Sequence, residues 1–253
     1  MGKGTQRTIV ITGGSRGIGA SIARAFHEAG DHVLIGSRTD VGLAKELGEG
    51  VRYQKCDVVR PQELRDLMRE ALDWTGRLDV LINNAGTSDW KPLNEVDENF
   101  WQRMIDVNLK GVFFGCQAAA GHFKNGGCII NISSLAGKRG SANNAVYCAA
   151  KFGVNGITQS LAKELGPRGI RVNAVCPVYV ETEGLIEALE SKHAPPAGKG
   201  VQNYLSEFAK TQSALGRLPS EEEVARVCLF LASPAASAVT GQCLNVDCGV
   251  LPQ

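Results

Sequence analysis

The sequence has almost no excess of charge of either sign. Its 253 residues carry 27 Lys and Arg against 26 Asp and Glu, a formal net charge of +1. So balanced a chain has no field that would draw it onto nucleic acid or an anionic membrane. It also lacks any run of roughly 18 to 20 consecutive apolar residues, the length that spans a bilayer. We therefore expect a small molecule as its partner.

Signals for export and for metal binding are also missing. The opening residues 1–6 run into a short apolar segment that Gly13 and Gly14 interrupt, and Gln6 stands where myristoylation requires Ser or Thr. The eight cysteines include no C-x-x-C pair and no histidine spacing suited to zinc. We expect a cytoplasmic protein with reduced, mostly buried thiols and no metal site.

Short β-branched runs alternate with longer segments of helical period. This alternation predicts an α/β fold, a single doubly wound domain over residues 1–253 with a mainly parallel sheet and helices on both faces. The predicted strands are residues 8–12, 32–36, 51–57, 79–83, 128–133, 170–176 and 242–246. The predicted helices are residues 17–30, 41–48, 61–75, about 99–124, 145–165 and one from about 220.

One segment breaks this rhythm, between Thr182 and Gly216. Its middle, residues 193–200, contains two prolines and two glycines and can hold neither helix nor strand, so we expect a short helix on each side. Loops of this length in compact domains are often lids or binding segments. We predict a substrate-binding lid at about residues 183–215; the alternative is a variable surface excursion.

A glycine-rich turn follows the first strand and opens the first helix. Gly13, Gly17 and Gly19 give the spacing G-x-x-x-G-x-G, which lets the backbone approach a pyrophosphate at a helix N-terminus. The same stretch contains G-x-S-x-G around Ser15, the nucleophile elbow of α/β-hydrolases. The hydrolase is disfavoured because the turn follows the first strand, with no earlier strands or oxyanion loop before it, and because the last histidine, His193, lies in the irregular segment.

A tyrosine and a lysine open the helix predicted at residues 145–165. Tyr147 and Lys151 are four residues apart and so share a helical face, where the ammonium would favour phenolate and make the tyrosine a better proton carrier. Ser134 follows the strand at 128–133, and the Asn83–Gly86 stretch follows the strand before it. Carboxyl ends of parallel strands are where open α/β sheets bind ligands, so we expect these groups to meet there.

Over nearly its whole length the chain resembles the classical short-chain dehydrogenase/reductases. The matching pieces are Thr12-Gly13-x-x-x-Gly17-Ile18-Gly19, Cys56-Asp57-Val58, Asn83-Asn84-Ala85-Gly86, Val107-Asn108-Leu109-Lys110-Gly111, Ile132-Ser133-Ser134, Tyr147-x-x-x-Lys151, Gly216-Arg217-Leu218-Pro219, Thr240-Gly241-Gln242 and Val246-Asp247. The resemblance implies a seven-stranded Rossmann-like sheet and hydride transfer between a nicotinamide and a carbonyl or alcohol. It also implies a homotetramer or homodimer.

The resemblance also implies roles for four residues. Tyr147 would give a proton to the carbonyl oxygen, and Ser134 would hydrogen-bond that oxygen. Lys151 would hold the ribose hydroxyls, and Asn108 would stabilise a water in a proton relay behind Lys151. The implied cofactor-binding residues are Gly13, Ser15, Arg16, Gly17, Ile18, Gly19, Ser37, Arg38, Cys56, Asp57, Val58, Asn84, Ala85, Gly86, Tyr147, Lys151, Pro177, Val180 and Thr182. Val178 and Cys248 depart from the family pattern, since each stands where glycine is usual.

The end of the second strand predicts which nicotinamide cofactor is used. Enzymes that use NAD place an acidic residue there to bind the ribose 2′-hydroxyl. Here the strand runs into Gly36-Ser37-Arg38, and Arg16 adds a second cation. Two guanidinium groups and a hydroxyl suit a 2′-phosphate, so we predict NADP(H) in preference to NAD(H).

The expected activity is that of a carbonyl reductase acting on a small ketone or secondary alcohol, similar to the 3-oxoacyl-carrier-protein reductases. An NAD-dependent sugar or polyol dehydrogenase and a polyketide-type ketoreductase of the same family remain open. A cofactor-sensing regulator without catalysis is disfavoured because Asn108, Ser134, Tyr147 and Lys151 are all present.

Overall fold

A seven-stranded parallel sheet organises the chain, as predicted. The structure is a computed structural model that describes residues 6–196 and 198–252. The strands are β1 (Thr8–Thr12), β2 (His32–Ser37), β3 (Val51–Lys55), β4 (Val80–Asn83), β5 (Gly127–Ile132), β6 (Ile170–Pro177) and β7 (Cys243–Val246). They lie in the order β3-β2-β1-β4-β5-β6-β7, with all neighbours parallel.

Helices cover both faces of this sheet. They are α1 (Gly17–Glu28), α2 (Leu43–Leu47), α3 (Pro61–Thr75), α4 (Glu98–Ile105), α5 (Gly111–Ala120), α6 (Ala145–Leu165), α7 (Glu183–Leu189), α8 (Val201–Gln212) and α9 (Glu221–Leu231). Among the described residues, no helix is both long enough and apolar enough to cross a membrane.

The strands are nearly continuous in apolar residues because they are buried on both sides. All five residues of β1 are buried. On one face, Phe26 of α1 and Leu231 of α9 pack over the sheet. On the other, Leu67 of α3 and Val154 of α6 do the same. This packing fixes the register of the central strands, and their carboxyl ends lie at the same edge of the sheet.

The sheet reverses its winding at β1, which has β2 on one side and β4 on the other. The last residue of β1, Thr12, pairs in register with Gly36 of β2 and Asn83 of β4. A crevice opens beyond these ends, the position at which doubly wound folds bind ligands.

The long helix predicted at about residues 99–124 is present as an unbroken helical run over residues 98–120, but it ends earlier than predicted and is not α-helical throughout. A π-helical segment (Asp106–Lys110) separates α4 from α5. The side-chain amide of Asn108 donates to the carbonyl of Met104 at 3.0 Å, the acceptor that an α-helix reserves for the backbone N–H of residue 108. Such π segments are frequent at functional sites.

A second helix also differs from prediction. The helix predicted at 41–48 is reduced to the five residues of α2, because Gly42 and Gly48 flank it in positive-φ conformations. In the segment at 183–215, two helices, α7 and α8, flank an irregular middle as predicted. Ala197 of that middle lies outside the described residues, as do residues 1–5 and 253.

Candidate active site

The glycine turn after β1 is held closely against the loop after β4. Gly13 and Gly17 have φ of +64° and +53°, a region that favours glycine. A Cβ on Gly19 would lie 2.3 Å from the carbonyl oxygen of Gly13 and 2.4 Å from Nδ2 of Asn84. The turn therefore requires glycine at all three positions.

Asn84 fastens this turn from the neighbouring strand. Its side-chain amide donates to the carbonyls of Gly13 at 2.9 Å and Thr12 at 3.2 Å. The hydroxyl of Thr12 in return accepts from the backbone N–H of Asn84 and of Ala85. α1 begins directly after the turn, and Arg16 at its N-cap supplies no side-chain cap. The first N–H groups of α1 are thus left for an anionic ligand.

A cavity of about 550 Å³ lies beyond the turn, within the usual range for a small-molecule site. Fifteen of the predicted cofactor residues line it: Gly13, Ser15, Arg16, Gly17, Ile18, Gly19, Ser37, Arg38, Cys56, Asp57, Val58, Asn84, Ala85, Gly86 and Thr182. The predicted Pro177, the last residue of β6, is buried instead, and so is Val180, which packs in the core. The catalytic candidates lie outside this cavity.

Sequence reasoning missed seven residues that line the same cavity. They are Thr39, Thr87, Arg103, Val107, Glu183, Gly184 and Glu187. Thr39, Thr87 and Glu183 directly follow predicted residues and could have been found by extending those motifs, and residues 183, 184 and 187 fall within the predicted lid. The others come from α4, the π segment and α7, and only the folded chain brings these elements to the cavity.

Hydroxyl and guanidinium groups gather where β2 ends. The hydroxyls of Ser15 and Ser37 are in direct hydrogen-bond contact. Arg16 and Arg38 are exposed and line the cavity beside them. Asp40 turns away, since its carboxylate accepts from the backbone N–H of Gly42 at 2.8 Å. This corner of the cavity is therefore positively charged.

Tyr147 and Lys151 lie in the first two turns of α6. Lys151 Nζ donates to the carbonyl of Ile132 at 2.9 Å and lies 5.6 Å from the ring centroid of Tyr147. Burial raises the pKa of Tyr147 to about 12, and a hydrogen bond with Ser134 offsets part of that rise. Burial also lowers the pKa of Lys151 to about 8. The expectation that Lys151 favours the phenolate is thus outweighed by burial, and Tyr147 keeps its proton at neutral pH.

The two serines after β5 face opposite ways, as predicted from strand alternation. Ser133 is buried, and its hydroxyl donates to the carbonyl of Lys151 at 3.3 Å. Ser134 caps a short 3₁₀ turn (Leu135–Gly137), accepting from the N–H of Ala136 at 3.1 Å, and reaches Tyr147. Ser134 is therefore the serine placed beside the tyrosine.

Asn108 is fully buried in the π segment behind these residues. Its amide donates to the carbonyls of Thr87 at 2.9 Å and Met104 at 3.0 Å, while Oδ1 accepts from the N–H of Thr87 at 3.1 Å. A Cβ on Gly86 would lie 3.1 Å from Asn108 Oδ1 and 3.8 Å from Lys151 Nζ. Asn108 thus holds the loop after β4 against the lysine.

Cys248 and Val178 stand where the family usually has glycine, and the structure accommodates the two residues in different ways. Cys248 has a φ of +53°, a conformation uncommon for a side-chain-bearing residue. Its carbonyl accepts from the hydroxyl of Ser213 at 2.9 Å and from the N–H of Leu215 at 3.1 Å. Val178 lies outside the positive-φ region and packs beside Phe208. The backbone after Pro177 therefore needs no glycine here.

The hydrolase alternative finds no support in the contacts of its two key residues. Ser15 contacts the hydroxyl of Ser37. His193 pairs instead with Glu95, with 2.9 Å between Nε2 and Oε2.

Comparisons with known proteins agree with this arrangement. A family profile described as Enoyl-(Acyl carrier protein) reductase matches residues 13–251. The chain is 36% identical over 252 residues to a 3-oxoacyl-[acyl-carrier-protein] reductase of Chlamydia pneumoniae, covering 96% of each chain.

Two solved structures are similar over almost their whole length. A variant of actinorhodin polyketide ketoreductase with NADPH superimposes with a TM-score of 0.90 at 32% identity, covering 99% of each chain. The ligand-free aldohexose dehydrogenase of Thermoplasma acidophilum gives a TM-score of 0.87 at 30% identity, covering 98% of each chain.

Proposed function

The chain belongs to the classical short-chain dehydrogenase/reductase family, whose members are NAD(P)-dependent oxidoreductases acting on C=O and CH–OH groups, and from that premise we propose that it is an NADPH-dependent reductase of 3-oxoacyl-type ketones. The observation that carries the proposal is the contact of Ser134 with Tyr147, one helical turn from the buried Lys151, at the carboxyl edge of the sheet.

The residues around the cavity fit a dinucleotide. The glycine turn leaves no room for side chains, and the N-terminus of α1 offers unpaired N–H groups to a pyrophosphate. Asn84, Ala85 and Gly86 would line the nucleotide, and Asp57 would bond the adenine. The nicotinamide supplies the hydride when bound.

The chain's own residues supply the proton and fix the geometry. Ser134 would hydrogen-bond the carbonyl oxygen of the substrate, and Tyr147 would give that oxygen its proton. With its raised pKa, Tyr147 carries its proton at neutral pH and is therefore present in the form that can donate. Lys151 would bind the ribose hydroxyls, and Asn108 would steady a water in the relay behind it.

Three observations support the preference for NADPH. Arg16, Arg38 and Ser37 line the same corner of the cavity, β2 ends without an acid, and Asp40 is turned into the following loop. A 2′-phosphate there would receive charge-assisted hydrogen bonds.

The test is kcat/KM for reduction of ethyl acetoacetate with NADPH and with NADH. The wild type should prefer NADPH, and Arg38→Asp should lose at least about tenfold with NADPH because a charge-assisted bond is removed. Arg65→Asp makes the same charge change on α3, where Arg65 bonds only Gln62 among the described residues, and should leave the preference intact. Wild-type efficiency with NADH equal to or above that with NADPH would contradict the cofactor assignment and leave the family unchanged.

A second candidate is an NAD-dependent sugar or polyol dehydrogenase, which the likeness to aldohexose dehydrogenase favours. Oxidation of polyols or aldoses with NAD⁺, faster than reduction of ketones with NADPH, would select it.

Further predictions from the sequence are also proposals here. We propose that residues 1–253 act as one dinucleotide-binding and catalytic domain, with residues 183–215 closing over substrate. We also propose a cytoplasmic homotetramer or homodimer. Exposed aromatic side chains on α4, α5 and α6 support self-association: Trp101, Phe113 and Phe152.

A further inference from the structure

The loop after β4 is fastened at both ends to catalytic elements. At its start, Thr87 exchanges hydrogen bonds with Asn108. At its end, the N–H of Lys91 donates to the carbonyl of Asn143 at 2.6 Å, four residues before Tyr147. Trp90 lies between these anchors, so its backbone is held at a fixed place beside the site.

The side chain of Trp90 is buried under the segment at 183–215. It is only 3% exposed and packs with Leu189 of α7, Leu205 of α8 and Ala194 between them. α7 also reaches the cofactor cavity through Glu183 and Gly184. Trp90 is thus covered in part by α7, the helix that also borders the cofactor cavity.

The indole N–H of Trp90 is a buried donor without an acceptor. Within residues 6–196 and 198–252, Nε1 has no hydrogen-bond partner. Buried donors are nearly always paired, and leaving one unpaired is costly, so an exception calls for an explanation. The neighbouring phenols are paired, since the hydroxyls of Tyr179 and Tyr204 lie 3.3 Å apart.

The same cluster borders the reacting position. Tyr179 lies two residues after the carboxyl end of β6 and packs on Tyr204 and Phe208 of α8. Asn143, four residues before Tyr147, donates its side-chain amide to the carbonyl of His193 at 3.3 Å, next to Ala194 of the cluster. A substrate carbonyl at Tyr147 would leave the rest of its molecule near the cluster that contains Trp90.

We propose that Trp90 determines specificity by donating its indole N–H to a second oxygen of the substrate, remote from the carbonyl that is reduced, when the substrate enters beneath α7 and α8. This inference rests on the proposed function and deepens it.

The surroundings of Trp90 define the class of that second group. Neutral donors among leucine, isoleucine and alanine side chains could not compensate the burial of a carboxylate. A neutral ester, thioester or ketone oxygen needs one donor and an apolar setting. The favoured substrates are therefore ketones with a second, neutral carbonyl group.

The first test compares two ketones of equal size, ethyl acetoacetate and 2-octanone, with saturating NADPH. Trp90→Phe keeps an aromatic ring and removes the donor. We expect its kcat/KM to fall about three- to tenfold for the keto ester and less than twofold for the simple ketone. Because both substrates are measured on one preparation, the ratio does not depend on the fraction of folded enzyme.

Leu189→Ala is the matched control, since it loosens the same cluster without removing a donor. Its kcat/KM should fall by a similar factor for both ketones, leaving the ratio as in the wild type. An equal loss on both ketones in Trp90→Phe would mean that Trp90 only fills space, and would overturn the inference.

A second measurement uses the wild type and so does not depend on any variant's folding. The three indole N–H signals of ¹⁵N-labelled enzyme with NADP⁺ are assigned with Trp74→Phe and Trp101→Phe, the third being Trp90. Ethyl acetoacetate should move the Trp90 signal downfield and 2-octanone should not. Equal shifts with both ligands, or none with either, would contradict the inference. Failure of the wild type to reduce any ketone with NADPH would instead overturn the proposed function, and the inference with it.

Discussion

Tyr147 and Lys151 face each other across one turn of α6, yet burial moves both toward their uncharged forms. It raises the pKa of the phenol to about 12 and lowers that of the ammonium to about 8. In a low-dielectric site each charged form loses hydration that its neighbours do not replace. At neutral pH the pair therefore consists of a protonated phenol and a lysine close to its titration range.

Replacing Tyr147 tests its role as proton donor. Tyr147→Phe removes the transferable proton and keeps the ring, so turnover should fall by about two to four orders of magnitude while NADPH affinity changes little. Initial rates and a fluorescence titration with NADPH measure the two effects. A variant that kept more than a tenth of wild-type turnover would show that another group supplies the proton.

The pH dependence of reduction should follow Lys151. Its folded-state pKa of about 8 lies below the ordinary 10.5, so the ammonium is present below that pH and lost above it. We expect kcat/KM to fall as pH rises through about 8, while Tyr147 stays protonated over this range. Arginine does not deprotonate there, so Lys151→Arg should abolish this limb even if its overall rate is lower. A wild-type profile flat to pH 9.5, or an unchanged limb in Lys151→Arg, would contradict the assignment.

At the scale of elements, the spacing of hydrophobic residues was sufficient to predict most strands of the sheet and the helices that cover it. It predicted the bounds of α3 and α6 because each carries a regular apolar face ended by clear signals, such as Pro61 at the start of α3. It could not predict the π segment, which depends on one bond between the Asn108 side chain and the backbone of Met104. The spacing of apolar residues along the sequence gives almost no sign of that bond.

The candidate site could also be predicted only in part, because local motifs identify some of its residues and tertiary packing brings in the others. Residues on strand ends and on the glycine turn were found, because motif spacing fixes them locally. Arg103 and Glu187 reach the cavity from α4 and α7 only through tertiary packing. The unpaired indole of Trp90 depends on the same packing, and no motif in the loop indicates it.

The segment at 183–215 should become protected when both ligands are present. Its irregular middle offers trypsin Lys192 and Lys199, both exposed. We expect cofactor and substrate together to slow cleavage there, because closure orders the segment. Cleavage after the exposed Lys124, in the loop between α5 and β5, provides the control and should not change. Equal rates at Lys192 and Lys199 with and without ligands would leave the segment an ordinary surface excursion.

At the scale of the whole molecule, exposed aromatic rings predict self-association. Phe113 and Phe152 are 42% and 48% exposed, on adjacent helices α5 and α6. Phe152→Asp would place a charge in an interface between these helices, so the mass from light scattering should fall toward that of one chain of 26.9 kDa. Leu93→Asp, at a residue 86% exposed in the loop after β4, is the control and should keep the wild-type mass. A wild type that is already monomeric would contradict the proposed assembly.

The buried thiols are distributed between the two faces of the sheet. Cys128 and Cys228 lie in the layer with α1 and α9, while Cys56 and Cys116 lie in the layer with α3 and α5. Burial raises the pKa of Cys56 and Cys116 to about 12 and of Cys128 to about 11, and that of Cys228 also rises. Thiols with so little thiolate resist alkylation until their layer opens to solvent. Each face of the native sheet thus contains two buried thiols whose alkylation reports its opening. A pulse of iodoacetamide, followed by peptide mass analysis, would measure separately when each face opens, with no label introduced beforehand.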